Sequence, residues 1–247
     1  MPVLLKLAGG GYPARFMLHP DDPPLLRHAP TQMHGRYFVL PSASKPAHWL
    51  IGFHGQGHTA EAFLADLERI PRGPDWLVAS IQGLNRYYAG RTQAIVASWM
   101  TSQDRELAIA DNVAWVDTAL DQLEREFGRP RSIVFAGFSQ GVAMAYRAGL
   151  LGRRPCVAIL AGNGDVPPEL KSATSRAWPL VLVATGARDE WYTPARLAAD
   201  VEVLRGLGAE VQTLTHDGAH EWTDELAEEA GQLLAGVAGT VEGAESA

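Results

Sequence analysis

From Trp49 onward, short runs of apolar residues alternate with longer stretches in which apolar positions recur every three to four residues. The first pattern is that of buried strands and the second that of amphipathic helices. The runs WLIGFHG, WLVASIQG, SIVFAGFS, VAILAG, LVLVATG and EVQTLTH predict strands, each nearly all apolar at its centre, as strands covered on both faces require. The stretches TAEAFLADLERI, DRELAIADNVAWVDTALDQLEREFG, QGVAMAYRAGLLG, TPARLAADVEVLRGLG and EWTDELAEEAGQLLAGVAG predict the intervening helices. The second of these is the clearest: Leu107, Val113, Val116, Leu120, Leu123 and Phe127 fall on helical spacing, and Gly128 and Pro130 end it. Strand and helix in alternation give an α/β class, with a mostly parallel central sheet and helices on both faces.

Before Trp49, RYFVLP predicts an early strand, paired with WLIGF through a turn in SASKPAH, so that the sheet begins antiparallel. Residues 1–30, with Pro20, Pro23, Pro24 and Pro30, read as an extended N-terminal segment, and about 239–247, GTVEGAESA, as a disordered tail. Neither an internal repeat nor an interdomain linker stands out, and residues 1–247 are expected to form a single domain.

Composition narrows the function more than the fold. The 247 residues are 47% hydrophobic and 20% charged, with a formal net charge of −7 and no cluster of Lys and Arg, which argues against a nucleic-acid partner. Cys156 is the only cysteine, so neither an internal disulfide nor a multi-cysteine metal site is available. The N-terminal apolar run is broken by Lys6 and lacks the order of a secretory signal. No membrane association and a cytoplasmic location are the expectation.

The chemistry centres on Gly137-Phe138-Ser139-Gln140-Gly141, a G-x-S-x-G stretch between a predicted strand and a predicted helix. A turn that sharp strains the serine backbone and brings helix and strand into close approach, so the positions two before and two after must have almost no side chain. The first amides of the helix point to where an oxyanion would form. A serine needs a base, and the base an orienting acid. Asp189 follows LVLVATG and His220 follows EVQTLTH, both just beyond strand ends. Asp165 and Glu190 compete for the acid, and His216 for the base; Asp217 reads as a turn residue. At the end of an early strand, FHGQGH offers glycines that let backbone amides approach a carbonyl oxygen, so Gln56 and Gln140 are the candidate oxyanion donors through their main-chain N–H groups. A metal reading of His54 and His58 finds no third ligand nearby.

HGQGH, GFSQG, the Asp189 position and GAHEW, in this order between Trp49 and Trp222, resemble the phospholipase/carboxylesterase family of α/β-hydrolases, which includes the acyl-protein thioesterases. The resemblance implies the α/β-hydrolase fold and a serine carboxylesterase that needs no cofactor or metal. It also implies a small-molecule ester as partner, Ser139, Asp189 and His220 as triad, and Gln56 and Gln140 as oxyanion donors. A thioesterase, or a lactone or polyester hydrolase, uses the same machinery; a catalytically silent binding module of the same fold is the reading from another class. The segment LNRYYAGRTQAIVASWMTSQDR, 84–105, reads as a long loop near the catalytic edge. Its Tyr87, Tyr88 and Trp99, with Trp191 and Trp222 near the proposed triad, are candidates for a substrate pocket, against the alternative that they only pack; Arg86 or Arg91 could meet an anionic group. With no long apolar lid, small uncharged esters with short acyl chains are the expected substrates.

Overall fold

In the computed structural model the described residues are 24–40, 46–171 and 177–245. Residues 24–33 carry no regular secondary structure and belong to a unit separate from the one that begins at His34; most of the expected N-terminal segment lies outside the described residues. The second unit holds strands β1 (Tyr37–Val39), β2 (His48–Phe53), β3 (Trp76–Ile81), β4 (Asn85–Ala89), β5 (Ala94–Ser98), β6 (Ser132–Phe138), β7 (Ala158–Gly162), β8 (Leu180–Gly186) and β9 (Val211–His216). Its helices are α1 (Ala60–Glu68), α2 (Arg105–Phe127), α3 (Gln140–Leu151), α4 (Pro194–Gly206) and α5 (Asp224–Glu245).

Seven strands form one sheet in the order β1-β3-β2-β6-β7-β8-β9, and every pairing is parallel except that of β1 with β3. Successive side chains of a strand point to opposite faces. Accordingly Trp49, Ile51 and Phe53 of β2 join one buried cluster with Val116, Leu120 and Leu123 of α2, Met144 and Ala145 of α3, and Leu197 and Val201 of α4. Leu50 points the other way, into a second cluster with Phe63 and Leu67 of α1 and Leu226 and Leu233 of α5. The all-apolar strand centres are explained by this double cover. Helix ends follow local chemistry. The Thr59 hydroxyl accepts from the Ala62 amide at 3.2 Å, Thr193 caps α4 ahead of Pro194, and Gly128 at φ 86° closes α2.

Three expectations change. The early strand β1 pairs with β3 and not with β2, because β2 has β3 on one side and β6 on the other, leaving it no edge to offer. The segment 84–105 is largely a β-hairpin, β4 against β5, reversed through a 3₁₀ turn at Gly90–Thr92 and Gln93 in the left-handed region at φ 55°. Helix α5 continues to Glu245, through most of the stretch expected as a disordered tail.

The strand order reverses between β2 and β6: from β2 the chain moves outward to β3, with β1 at the edge beyond it, and from β6 outward the other way to β9. Loops leaving the carboxyl ends of those two strands diverge and open a crevice, the position where sheets of this type place ligands. Phe53 of β2 is in register with Gly137 of β6, so the FHGQGH loop and the GFSQG turn leave the sheet side by side.

Candidate active site

Ser139 links β6 to α3 with φ 53° and ψ −120°, a conformation that residues with a side chain rarely adopt. Packing on both sides enforces it. A Cβ on Gly141 would lie 1.9 Å from the Phe53 carbonyl oxygen, and one on Gly137 would lie 2.4 Å from the Gly141 carbonyl oxygen. Only glycine fits at either position, and the Ser139 hydroxyl is left at the carboxyl end of the sheet.

The loops after β8 and β9 deliver two more side chains to that hydroxyl. His220 Nε2 is 2.8 Å from Ser139 Oγ, and His220 Nδ1 is 2.8 Å from Asp189 Oδ2. With Nδ1–H donating to the carboxylate, Nε2 presents its lone pair to the serine hydroxyl. Asp189 is almost wholly buried and accepts from every direction: its Oδ1 takes the amides of Trp191 at 2.8 Å and Tyr192 at 2.9 Å, and its Oδ2 also takes Asn163 Nδ2 at 2.9 Å. Burial pushes the carboxyl toward protonation, but the hydrogen bonds from Asn163, His220, Tyr192 and Trp191 outweigh it and hold the group below its ordinary value.

Asn163, which sequence reasoning passed over, follows β7 in the left-handed region at φ 57°. Its amide also donates to the Ala219 carbonyl at 3.2 Å, which ties the loop carrying His220 to the same carboxylate. The available signal was an Asn-Gly pair directly after a strand end. Among the described residues none of the competing groups is hydrogen-bonded to Ser139 or His220. His216 is buried with Nε2 3.4 Å from Asn163 Oδ1, Asp165 pairs with Arg196 at 2.7 Å, Asp217 pairs with Arg188, and Glu190 is exposed.

Gln140 opens α3, so its backbone N–H is among the first four that have no acceptor within the helix. Its side chain is also employed: Oε1 accepts from the Trp99 amide at 2.8 Å and Ser98 Oγ at 3.1 Å, and Nε2 donates to Met100 O at 2.9 Å. Gln56 is exposed in the loop after β2, next to Gly55, where a Cβ would come within 3.3 Å of the Ser139 Cβ. His54 holds this loop. Its Nδ1 donates to Gly55 O at 2.7 Å and its Nε2 accepts from the Gly83 amide at 3.0 Å, while burial lowers the imidazole to about 4 and keeps it neutral. Both ring nitrogens are therefore committed to backbone. Among the described residues no group of three His, Cys, Asp or Glu side chains is placed to hold a metal ion.

A cavity of about 270 Å³ opens beside the serine, lined among others by Ser139, Ala143, Arg147, Trp191, Arg196 and His220. Of the aromatic candidates it includes Trp191, which is 74% exposed. The other four stand apart. Trp99 is fully buried, with Nε1 donating to His54 O at 2.9 Å, so it braces the FHGQGH loop from within. Trp222 packs edge-to-face on Phe63 at 5.2 Å in the cluster beneath the sheet. Tyr87 and Tyr88 line a separate groove of about 300 Å³ on the hairpin with Arg36, Arg86 and Ile95. The hairpin is joined to the FHGQGH loop by Gly57 N–H to Ala97 O and Ala97 N–H to His58 O, each 2.9 Å.

One wall of the cavity is the segment after β7, held by charge. Glu169 receives Arg147 Nε at 2.8 Å and Arg105 Nη2 at 2.6 Å. Burial opposes its ionisation, but the two guanidiniums overcome that and bring the carboxyl down to about 2 from an ordinary 4.5. A carboxyl depressed on folding stabilises the fold above its unfolded value and loses that contribution as pH falls through the folded one. Wild type should therefore melt above Glu169→Gln near neutral pH, and the gap should narrow steadily from about pH 4.5 toward pH 2. A gap in melting temperature that stays constant across that range would disprove the assignment.

No protein-family profile and no curated protein matches the sequence. Solved structures do. A carboxylesterase from Mesorhizobium loti matches with a TM-score of 0.69 at 22% identity, over 82% of this chain and 95% of that one. The esterase PE8 matches with a TM-score of 0.65 at 21% identity over 82% and 98%, and Zea mays acyl-protein thioesterase 2 with 0.63 at 16% over 82% and 99%. The fold is that of the α/β-hydrolases. Ser139, Asp189, His220 and FHGQGH all lie in loops at the carboxyl ends of strands, where open sheets of this kind place ligands.

Proposed function

We propose that the protein is a carboxylic ester hydrolase that works through an acyl-enzyme. The observation that carries this reading is the continuous line of hydrogen bonds from Ser139 Oγ through His220 to Asp189, with the serine held at φ 53°. Ser139 Oγ attacks the ester carbonyl as its proton passes to His220 Nε2; the imidazolium then returns that proton to the departing alcohol. Water repeats the cycle, giving its proton to the same nitrogen and releasing the acid. Asp189 keeps Nδ1 protonated and stabilises the transient positive charge. The amides of Gln56 and Gln140 receive the oxyanion, on a loop braced by His54 and Trp99 and a helix start braced by the Gln140 side chain. The likeness to the Mesorhizobium loti carboxylesterase and PE8 agrees with an ester, and that to the maize thioesterase keeps a thioester as the second substrate class.

Labelling the folded protein with a fluorophosphonate is the direct test. Ser139 should carry the label and p-nitrophenyl acetate turnover should fall in proportion. Folded protein that neither labels at Ser139 nor turns over the ester would favour a silent binding module of the same fold.

A further inference from the structure

The cavity beside Ser139 has a charged end that the hydrolysis chemistry does not use. Gln140, Ala143 and Arg147 lie on one face of α3 and border the cavity in that order away from Ser139. Ala143 leaves the floor between the serine and the arginine open. The Arg147 side chain is only 4% exposed, although it sits in a helix that is otherwise almost entirely apolar. Of its five N–H donors, Nε–H meets Glu169 at 2.8 Å and Nη1 meets only the weakly accepting thioether of Met100 at 3.1 Å. The remaining donors have no partner among the described residues.

Charge at this end does not cancel. Among the described residues Glu169 is the one carboxylate paired with both Arg147 and Arg105, so that cluster holds two guanidiniums against one negative charge. Arg196, also at the cavity, is neutralised by Asp165. A buried guanidinium with open donors and a surplus positive charge is suited to a planar anion, above all a carboxylate.

We infer that this cavity selects esters whose acyl group ends in a carboxylate, and that Arg147 is the residue that recognises it. This rests on the hydrolase reading above and names its substrate class. It replaces the small uncharged esters expected from the sequence. Size agrees as well. Arg147 is eight residues beyond Ser139, about 12 Å along the helix axis, and its side chain leans back toward the helix start, which leaves room for about two or three methylenes between the reacting carbonyl and the carboxylate. The substrate class is therefore that of short dicarboxylic half-esters. Arg86 and Arg91 on the hairpin do not line this cavity.

The test compares monoethyl succinate with its uncharged isostere ethyl 4-methylpentanoate, each followed by acid release in a pH-stat. Wild type should favour the anion by at least about tenfold in kcat/KM, mainly through KM. Arg147→Met should cut that preference by at least about tenfold, Arg147→Lys should restore part of it, and Arg91→Gln should keep the wild-type ratio. A wild-type ratio at or below one overturns the inference, and so does an unchanged ratio in folded Arg147→Met or a collapsed one in Arg91→Gln. Should Arg147→Met fail to fold, the wild-type ratio and Arg147→Lys still decide. Turnover of the uncharged ester alone would leave the hydrolase reading standing while the inference falls; no turnover of either, with Ser139 unlabelled by fluorophosphonate, would remove both.

Discussion

Replacing Ser139 or His220 with alanine should each lower kcat/KM on a simple ester by at least about a thousandfold, and replacing both should be little worse than either alone. The reason is the single shared proton. Ser139 Oγ is 2.8 Å from His220 Nε2, and each group is without purpose when the other is absent: a neutral hydroxyl is a poor nucleophile, and an imidazole with no hydroxyl in reach has nothing to activate. What survives in all three variants is binding and the proposed oxyanion amides of Gln56 and Gln140, and these should set a common floor. Steady-state kinetics on the two single variants and the double one, with circular dichroism to verify the fold, gives the answer. Losses that multiply in the double variant would mean independent roles and would disprove the shared proton transfer.

Much of this site could be read from residue order because its requirements are local. A serine forced into a positive-φ turn needs glycine at Gly137 and Gly141, and the clashes a Cβ would make there show why. Strand ends are visible where an apolar run stops, and Asp189 and His220 lie just beyond two of them. What escaped depends on neighbours far along the chain. β1 was assigned to β2 because the two are close in sequence, whereas the sheet had already given both edges of β2 to β3 and β6. In the hairpin β4–β5, the exposed NRYYA strand lacks the apolar run that marks a buried strand, and the AIVAS run beside it is short and half exposed, so the pair reads as loop. Trp99 is a pocket candidate as part of the 84–105 segment and Trp222 by its place two residues beyond His220, yet one is buried behind the FHGQGH loop and the other beneath the sheet. Arg147 carries a signal too weak to use from sequence alone: the one charge in VAMAYRAGLL would ordinarily mark an exposed face, and only the structure shows that it is buried against Glu169.

Asp189→Asn should lower kcat/KM by about a thousandfold to ten-thousandfold while leaving a folded protein. The change removes one acceptor and supplies a donor in its place. The Trp191 and Tyr192 amides at 2.8 and 2.9 Å fix the carbonyl oxygen of the new side chain on their side, so its NH₂ must face His220 Nδ1 and Asn163 Nδ2. His220 can satisfy that donor only by giving up the proton on Nδ1 and carrying it on Nε2, which then presents a hydrogen to Ser139 where a lone pair is needed. The base is lost through its tautomer with its position unchanged. Asn163 is left facing a donor with its own donor, a mismatch that should cost about 1–3 kcal/mol of stability unless its amide turns over. Glu190→Gln, one residue along and exposed, makes no such contact and should stay within about twofold of wild type. Kinetics on both variants beside urea denaturation separates the two effects. A folded Asp189→Asn protein that keeps more than a tenth of wild-type activity would show that some other group orients His220.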